Sequence, residues 1–250
     1  MRAMTETTRF RSAEPSHEST LPKRFYDAVE VVAEGGAHAI RLDGRPVRTP
    51  GRAVLVVPSE AVAAAIAGEW DAQRERIDPR TMPATRLANT ALDGVANEMQ
   101  GVKEDVVRYA GSDLVCYRAG APDALVQREA EAWDPYLDWA QTSLGVNLVL
   151  AEGVMHVDQP PQAIAAISAA VGQVDDPFRL AALHVMTSLT GSALIALAVL
   201  RGRTDVDTAW HAAHVDEDWN SEQWGEDEEA QALRRRREAE MRVAALFATA

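Results

Sequence analysis

The segment from residue 178 to residue 200 constrains the fold more than any other, because it is apolar along nearly its whole length. It is almost long enough to span a bilayer. It also carries His184 and four hydroxyl side chains close to Gly191, and no asymmetric basic loop flanks it. A helix that is apolar on all sides and does not span a membrane belongs in a protein interior. We therefore expect one central buried helix and no stable membrane insertion.

The first third of the chain has the pattern of a small antiparallel β unit. Val and aromatic residues are frequent at 25–33, which predicts a strand. Asp43-Gly44 predicts a hairpin, because a type I′ turn needs positive φ at its two central residues. The other elements expected here are strands at 38–42, 46–49 and 53–57, and a helix at 61–74 with Ser59 as its N-cap.

From about residue 100 the sequence pattern is helical to the end of the chain. The expected helices cover 102–109 with a short continuation at 113–118, a long stretch from Pro122, then 160–171, 178–200, a stretch from about 205, and 226–247. Pro135 is expected to kink the long helix or divide it in two. The fold class is therefore α+β, with a small N-terminal β-rich α/β domain (22–95) followed by a larger all-helical C-terminal domain (96–250). Residues 1–21 are expected to form a disordered lead-in.

Charge and composition limit the partners. The net charge of −13 and the pI near 4.9 argue against nucleic acid or an anionic membrane surface and favour a basic or amphiphilic protein surface. The first twenty residues are polar, carry acids and lack the apolar stretch of a secretory signal. We therefore expect the protein in the cytoplasm of a bacterium. The single cysteine, Cys116, lies among apolar residues, which indicates a buried structural thiol in a reducing compartment.

The segment from 210 to 229 combines aromatic side chains with a dense block of carboxylates. Its tryptophans are Trp210, Trp219 and Trp224. No Lys or Arg interrupts its eight acids, which are Asp216, Glu217, Asp218, Glu222, Glu226, Asp227, Glu228 and Glu229. Aromatic residues are frequent at binding hot spots, and surrounding charges select the partner. The alternative is a solvated acidic face with its tryptophans turned inward.

Two histidines in the same segment allow a different hypothesis. His211 and His214 are three residues apart, which places them on one helical face that Glu217 or Asp218 continues. One such helix supplies only part of a coordination shell, and the chain has no second helix with an E-x-x-H pattern. A metal-dependent hydrolase using His211, His214 and Glu217 is therefore the alternative function, and our main expectation is that no metal or other cofactor is bound.

Arg86, Asn89 and Asp93 form an ordered polar set within the small-residue segment 85–95. They could lock a domain junction through buried hydrogen bonds, or they could contact a partner directly. Motifs for phosphate binding or for a nucleophilic serine are missing, since the chain has neither GxxxxGK[ST] nor G-x-S-x-G. From the residues alone, an interaction face is therefore the main expectation, and the metal-dependent hydrolase stays its alternative.

Seven motifs in one order resemble a known chaperone family. They are RFYDAVEV, IRLDGRPVRTPGR, VPSE, EWDAQRERIDPRTMPATRLANTALDGV, YAGSDLVCYRA, WDPYLDWA and WGEDEEA, and they extend from about residue 24 to residue 240. Together they resemble the ATP synthase F1 assembly factor 2 family, the assembly chaperones that handle the alpha subunit of the catalytic head.

This resemblance implies a function and a place for it. Members are non-enzymatic chaperones, so the resemblance implies that this protein is not an enzyme. They bind the unassembled alpha subunit without using ATP, prevent its aggregation and release it when the beta subunit takes its place. The family is best known from mitochondria, and we expect this chain to be a bacterial, monomeric member. By position, the resemblance assigns the WGEDEEA motif to residues 224–230. Our predicted partner-binding residues are Trp219, Trp224, Glu226, Asp227, Glu228, Arg86, Asn89 and Asp93.

Overall fold

The structure is a computed structural model that describes residues 21–153, 155–225 and 227–250. The expected lead-in lies outside these ranges except for Leu21. A β-rich unit at the N-terminal end is followed by a larger helical part, so the predicted α+β class is confirmed. One continuous hydrophobic core extends from Tyr26 to Ala248.

Four strands form an antiparallel sheet in the β-rich unit. They are β1 (Val29–Glu34), β2 (Ala37–Leu42), β3 (Arg45–Pro46) and β4 (Val56–Val57), and β2 pairs with the other three. The predicted hairpin is confirmed, because Asp43 and Gly44 have φ of 48° and 75°. β1 begins four residues later than predicted. The Asp43 carboxylate accepts hydrogen bonds from the backbone N–H groups of Asp27 and Ala28. These two N–H groups therefore bond to a side chain and not to a neighbouring strand.

The first two helices lie between this sheet and the rest of the molecule. α1 (Glu60–Ala72) begins at Ser59 as predicted, and the Ser59 hydroxyl accepts from the Val62 N–H at 3.4 Å. α1 packs on β1 and β2, whereas α2 (Pro83–Asp93) packs on α1 and on two later helices, α6 (Pro177–Thr190) and α10 (Glu228–Thr249).

The apolar segment forms two helices, so the prediction of one central helix was wrong. α6 ends at Gly191, which has a φ of 66°, and α7 (Ala193–Leu200) starts two residues later with every residue buried. The Ser192 hydroxyl accepts from the Ile195 N–H at 3.0 Å and donates to the fully buried Asp113 carboxylate. The expectation of a buried segment is confirmed, and the polar residues around Gly191 make the break between the helices.

The remaining helices surround this pair. They are α3 (Met99–Ala110), α4 (Asp123–Leu144), α5 (Pro161–Gly172), α8 (Val206–Ala213), α9 (Val215–Trp224) and α10. α4 continues through Pro135, so it is not divided in two. Within the described ranges, no helix combines the length and the apolar character that crossing a membrane requires.

Two further predictions for the helical part were wrong in detail. Residues 113–118 form a 3-10 turn (Leu114–Cys116) and a strand, β5 (Tyr117–Arg118), which pairs in parallel with β6 (Ala151–Glu152). The larger part of the chain is therefore not entirely helical. The Asp113 carboxylate holds this segment in place, because it caps the 3-10 turn and accepts from the Leu194 N–H at the start of α7. Cys116 is buried as predicted, and burial raises the pKa of its thiol to about 12.

The break between α6 and α7 gives a stability prediction. We expect Ser192→Ala to lower the free energy of unfolding by about 1–3 kcal/mol, because it removes a helix cap and a donor to a buried carboxylate. Urea unfolding followed by circular dichroism measures this change. Ser168→Ala, at an exposed position of α5, is the matched control and should change it little. Equal stability of the two variants would contradict the role assigned to Ser192.

Candidate partner-binding face

The segment from 210 to 229 folds into the end of α8, all of α9 and the start of α10. α8 is capped by Asp205, whose carboxylate accepts from the Thr208 N–H at 2.8 Å. His214 leaves helical geometry, with φ −122° and ψ 21°, so the chain turns and α9 begins at Val215. Gly225 then has a φ of 90°, which allows a sharp turn from α9 towards α10. Glu226 lies outside the described residues.

A cleft of about 650 Å³ separates α4 from α8 and α9. Its apolar surface comes from Ala132, Pro135, Tyr136, Ala212 and Val215. Charged side chains line its rim, and the acids among them are Glu131, Asp207, Asp218 and Glu222. An apolar floor with a polar rim is the usual anatomy of a binding site.

Arg128 of α4 crosses the mouth of this cleft. Its guanidinium carbon lies 5.1 Å from the centre of the Trp219 ring, and its Nη1 donates to Glu222 Oε1 at 2.8 Å. Trp219 is half-buried beneath it. The predicted site residue Trp219 is therefore partly covered by a cation of the same chain.

Trp224 has the opposite environment. Its side chain is 86% exposed at the last residue of α9. A tryptophan is seldom so exposed, since burying it would remove a large apolar surface from water. The exposed acids Glu228 and Glu229 follow in the first turn of α10, and Asp227 caps that helix by accepting from the Ala230 N–H at 2.8 Å. This part of the segment presents a free aromatic ring beside a negatively charged helix start.

Some of the acids instead hold helices together. Arg234 of α10 pairs with Asp218 of α9 at 2.5 Å, and Arg242 pairs with Asp207 of α8 at 2.6 Å. These contacts position α10 against the helices that carry Trp219 and Trp224. Some acids of this segment thus hold the helices together, and others are free at the surface. Composition alone could not show which acids belong to which group.

A buried carboxyl supports the joint between α4 and α9. Glu129 is 2% exposed, accepts from the Ala119 N–H at 2.8 Å and shares a hydrogen bond with Asp216. Burial, together with the neighbouring Asp216 carboxylate, raises the pKa of Glu129 from an ordinary 4.5 to about 7. Glu129 and Arg128 are functional candidates that the sequence prediction missed, because no local motif shows that α4 meets α9.

The two histidines are each bonded to the backbone of α8. The Nδ1 atoms of His211 and His214 face the carbonyl oxygens of Asp207 and Trp210, each at 2.7 Å, and His214 stacks on the Trp210 ring. Burial lowers the pKa of His214. His214 Nε2 lies 3.8 Å from Glu217, but α8 ends between the two histidines. Among the described residues, no group of three or more His, Cys, Asp and Glu is arranged to hold a metal ion.

The polar set in α2 is engaged within the molecule. Asp93 accepts from the Thr49 hydroxyl at 2.6 Å and from the Gly51 N–H at 2.7 Å, which fixes the turn between β3 and β4 to α2. A Cβ on Gly51 would lie 2.6 Å from Asp93, so only glycine fits there. Arg86 pairs with Glu240 of α10. The Asn89 Oδ1 is buried without a hydrogen-bond partner among the described residues.

The geometry at Asp93 predicts a structural role. We expect Asp93→Ala to lower the free energy of unfolding by about 2–3 kcal/mol, because it leaves two donors of the turn between β3 and β4 without their partner. Asp138→Ala removes an exposed carboxylate from α4 and serves as the control. Chemical denaturation of both variants measures the difference. A change of less than about 0.5 kcal/mol at Asp93, the usual range for surface substitutions, would instead return it to the list of partner contacts.

The Glu129 carboxyl predicts a pH dependence. Its folded-state pKa lies above the ordinary value, so its stabilising contribution is fully present below about 4.5 and is lost as the pH rises through about 7. Glu129→Gln keeps an acceptor for Ala119 and supplies a permanent donor for Asp216. In the unmodified protein, Glu129 should make stability fall by up to about 1.4 kcal/mol per pH unit between about pH 4.5 and 7, and we expect this part of the decline to be absent in Glu129→Gln.

Thermal unfolding at several pH values in this range gives the slope of stability against pH for each protein. The exposed neighbour Glu131 provides the control, because Glu131→Gln should leave the slope as in the unmodified protein. Parallel slopes for Glu129→Gln and the unmodified protein would show that folding does not raise the pKa of Glu129.

Comparisons with known proteins agree with this fold. The family model described as ATP12 chaperone protein matches residues 23–141. The crystal structure of Atp12 from Paracoccus denitrificans is 45% identical, with a TM-score of 0.81, and the match covers 91% of this chain and 97% of that one. A crystal structure of a protein from Agrobacterium tumefaciens is 50% identical, with a TM-score of 0.85, over 94% of this chain and 90% of that one.

A curated relative is more distant. The mitochondrial protein atp12 of Schizosaccharomyces pombe is 22% identical over 223 residues, which is 84% of this chain and 76% of the yeast protein. The solved Atp12 structure shares nearly half of its residues with this chain along almost the whole length of both. This agreement confirms the resemblance that the sequence motifs predicted. The chain belongs to the ATP12 family of chaperones.

Proposed function

We propose that this protein binds the unassembled alpha subunit of the ATP synthase catalytic head, prevents its aggregation and releases it when the beta subunit arrives. Membership of the ATP12 family supports this proposal. The observation that carries it is the exposed Trp224 ring beside the acidic first turn of α10. Such a surface suits a client that exposes apolar side chains and cations.

The physical need for such a protein follows from subunit assembly. An alpha subunit without its neighbours exposes surface that is buried in the finished assembly, and exposed apolar patches of this kind aggregate. A chaperone must cover this surface and still bind it less tightly than the final partner does. An aromatic anchor surrounded by solvated charge fits this requirement, because rim charges contribute more to the rate and selectivity of association than to affinity.

The arrangement around Trp219 is consistent with modest affinity. A client cation that approaches Trp219 and Glu222 must displace Arg128, which already occupies both. The free energy of this self-contact is subtracted from the free energy of binding. We propose that Trp224, Asp227 and Glu228 contact the client. Glu226 stays in the proposed site because of its position in the sequence motif.

The proposal describes a binding function without catalysis. In the proposed mechanism, release requires no nucleotide, because the beta subunit replaces the chaperone on the same client surface. We propose that the protein acts as a monomer in the bacterial cytoplasm. The net charge of −13 keeps the free chaperone soluble and attracts it to basic client surface. The α2 residues Arg86 and Asp93 have partners within the chain, so their part in the proposal is to hold the structure.

Substitutions at the free surface test the proposal. Trp224→Ser should weaken binding of the purified alpha subunit about 30-fold, the loss of a hot-spot residue worth about 2 kcal/mol. Glu228→Lys should slow association about 3- to 10-fold at low salt, with less effect at high salt. Biolayer interferometry measures both rates, and light scattering follows aggregation of the alpha subunit.

A variant with the same charge change at another site separates a specific contact with the client from a general effect of net charge. Asp138 is an exposed acid of α4 that does not line the cleft, so Asp138→Lys should bind nearly as well as the unmodified protein. Asp227 is left unchanged because its substitution would also remove a helix cap. Unimpaired capture by a folded Trp224→Ser variant would place the client elsewhere on the molecule. Absence of binding by the unmodified protein would reject the proposed function itself.

A further inference from the structure

A second groove lies on the β-rich unit, between the segment that precedes β1, the β2–β3 hairpin and α1. Its volume is about 580 Å³. Buried side chains of Tyr26, Leu42 and Val47 form part of its lining, and Trp70 of α1 forms a wall. None of these residues lines the cleft at α4, α8 and α9, so the two surfaces are separate.

The groove is locally basic in a strongly acidic protein. Arg45 and Arg48 line it and are exposed, and neither forms a salt bridge within the described part of the chain. Arg48 donates once, to the Arg52 carbonyl at 2.9 Å. The acid in this lining, Asp43, accepts from backbone N–H groups, which lower the pKa of its carboxyl, and the nearby charges of Arg24 and Arg45 lower it further without forming a salt bridge. Two guanidinium groups are therefore available to an anionic ligand.

An exposed aromatic ring forms the lip of the groove. Phe25 is 72% exposed, although Tyr26 beside it is buried. The backbone around Phe25 is held firmly, because Arg24 Nε donates to the Tyr26 carbonyl at 2.9 Å and Arg24 Nη1 donates to the Asp71 carbonyl at 3.1 Å. The Phe25 ring lies edge to face against the Tyr26 ring, with centroids 5.3 Å apart. An aromatic residue beside arginine is a common hot-spot combination.

We propose that this groove binds a segment of the client that carries a carboxylate next to an apolar side chain. This inference rests on the proposed function, and it adds a second contact of opposite charge to the Trp224 surface. The apolar side chain would pack against Phe25 and the lining, while Arg45 and Arg48 bind the carboxylate. The client segment is not expected to pair with β3 as an added strand, because β3 has only two residues and one of them is Pro46.

A second copy of the chain is the less suitable occupant. Its Trp224 segment has matching chemistry, but such a head-to-tail contact is heterologous and would propagate into open chains. Two copies that each carry a net charge of −13 also repel one another. A client held at two weak contacts, in contrast, gains apparent affinity through the effective concentration of the second contact. The beta subunit could then displace the chaperone one contact at a time.

Substitutions at the groove test the proposal with the intact protein and the purified alpha subunit as the probe. Arg45→Glu and Phe25→Ser should each weaken binding about tenfold. Arg74→Glu is the matched control, because Arg74 is exposed, makes no salt bridge within the described residues and lies outside the groove lining. It should bind within about twofold of the unmodified protein, as rim charges usually do at moderate salt. Thermal unfolding confirms that each variant is folded.

The outcomes separate this inference from the proposed function. Weaker binding by both groove variants but not by Arg74→Glu supports the groove as a client site. Binding of folded Arg45→Glu and Phe25→Ser at the unmodified level overturns the inference and leaves the Trp224 surface as the client site. Sedimentation tests for a second copy in the groove. If the protein self-associates, and if Arg45→Glu abolishes this self-association while alpha-subunit binding persists, the inference is overturned and the groove is assigned to a second copy. If the unmodified protein does not bind the alpha subunit, the proposed function fails first.

Discussion

The buried carboxylate of Asp113 is the interaction on which the helical part depends. The break between α6 and α7 brings the N–H groups at the start of α7 into the core, where no water can bond to them. Asp113 accepts from the Leu194 N–H at 3.1 Å and from the Ser192 hydroxyl. Its burial raises the pKa of the carboxyl to about 6, so the ionised form is held against a desolvation penalty by these donors. The fully buried α7 can then contact α3, α4, α6, α8 and α10.

This central packing determines how the two proposed client surfaces are presented. α8 and α10 lie against α7, and ion pairs from Arg234 and Arg242 connect α10 to the α8–α9 segment. The end of α9 is therefore fixed while the Trp224 side chain stays in solvent. On the other side, α1 and α2 connect the sheet to α6 and α10, and Asp93 fixes the turn between β3 and β4. Rigid support allows exposed anchors to bind with little loss of conformational entropy.

Local patterns predicted much of the fold but failed where contacts are distant in sequence. The Asp43-Gly44 hairpin and the Ser59 cap were predictable because each depends on the conformation of adjacent residues. The division at Gly191 was missed, although a glycine followed by a serine is a plausible stop and cap, because a continuous apolar run favoured one helix. The strand pair at Tyr117 and Ala151 was missed because two-residue strands have no detectable alternation. How the chain divides into domains stays a prediction.

The sequence alone determined the composition of the candidate surfaces and the family. The density of acids and tryptophans between 210 and 229 and the order of seven motifs need no coordinates. The tertiary structure decided which of those residues are free. It covered Trp219 with Arg128, placed Asp218 against Arg234, and left Trp224 and Phe25 in solvent. The physical reason is that exposure and pairing depend on helices distant in sequence, whereas turns and caps depend on the residues beside them.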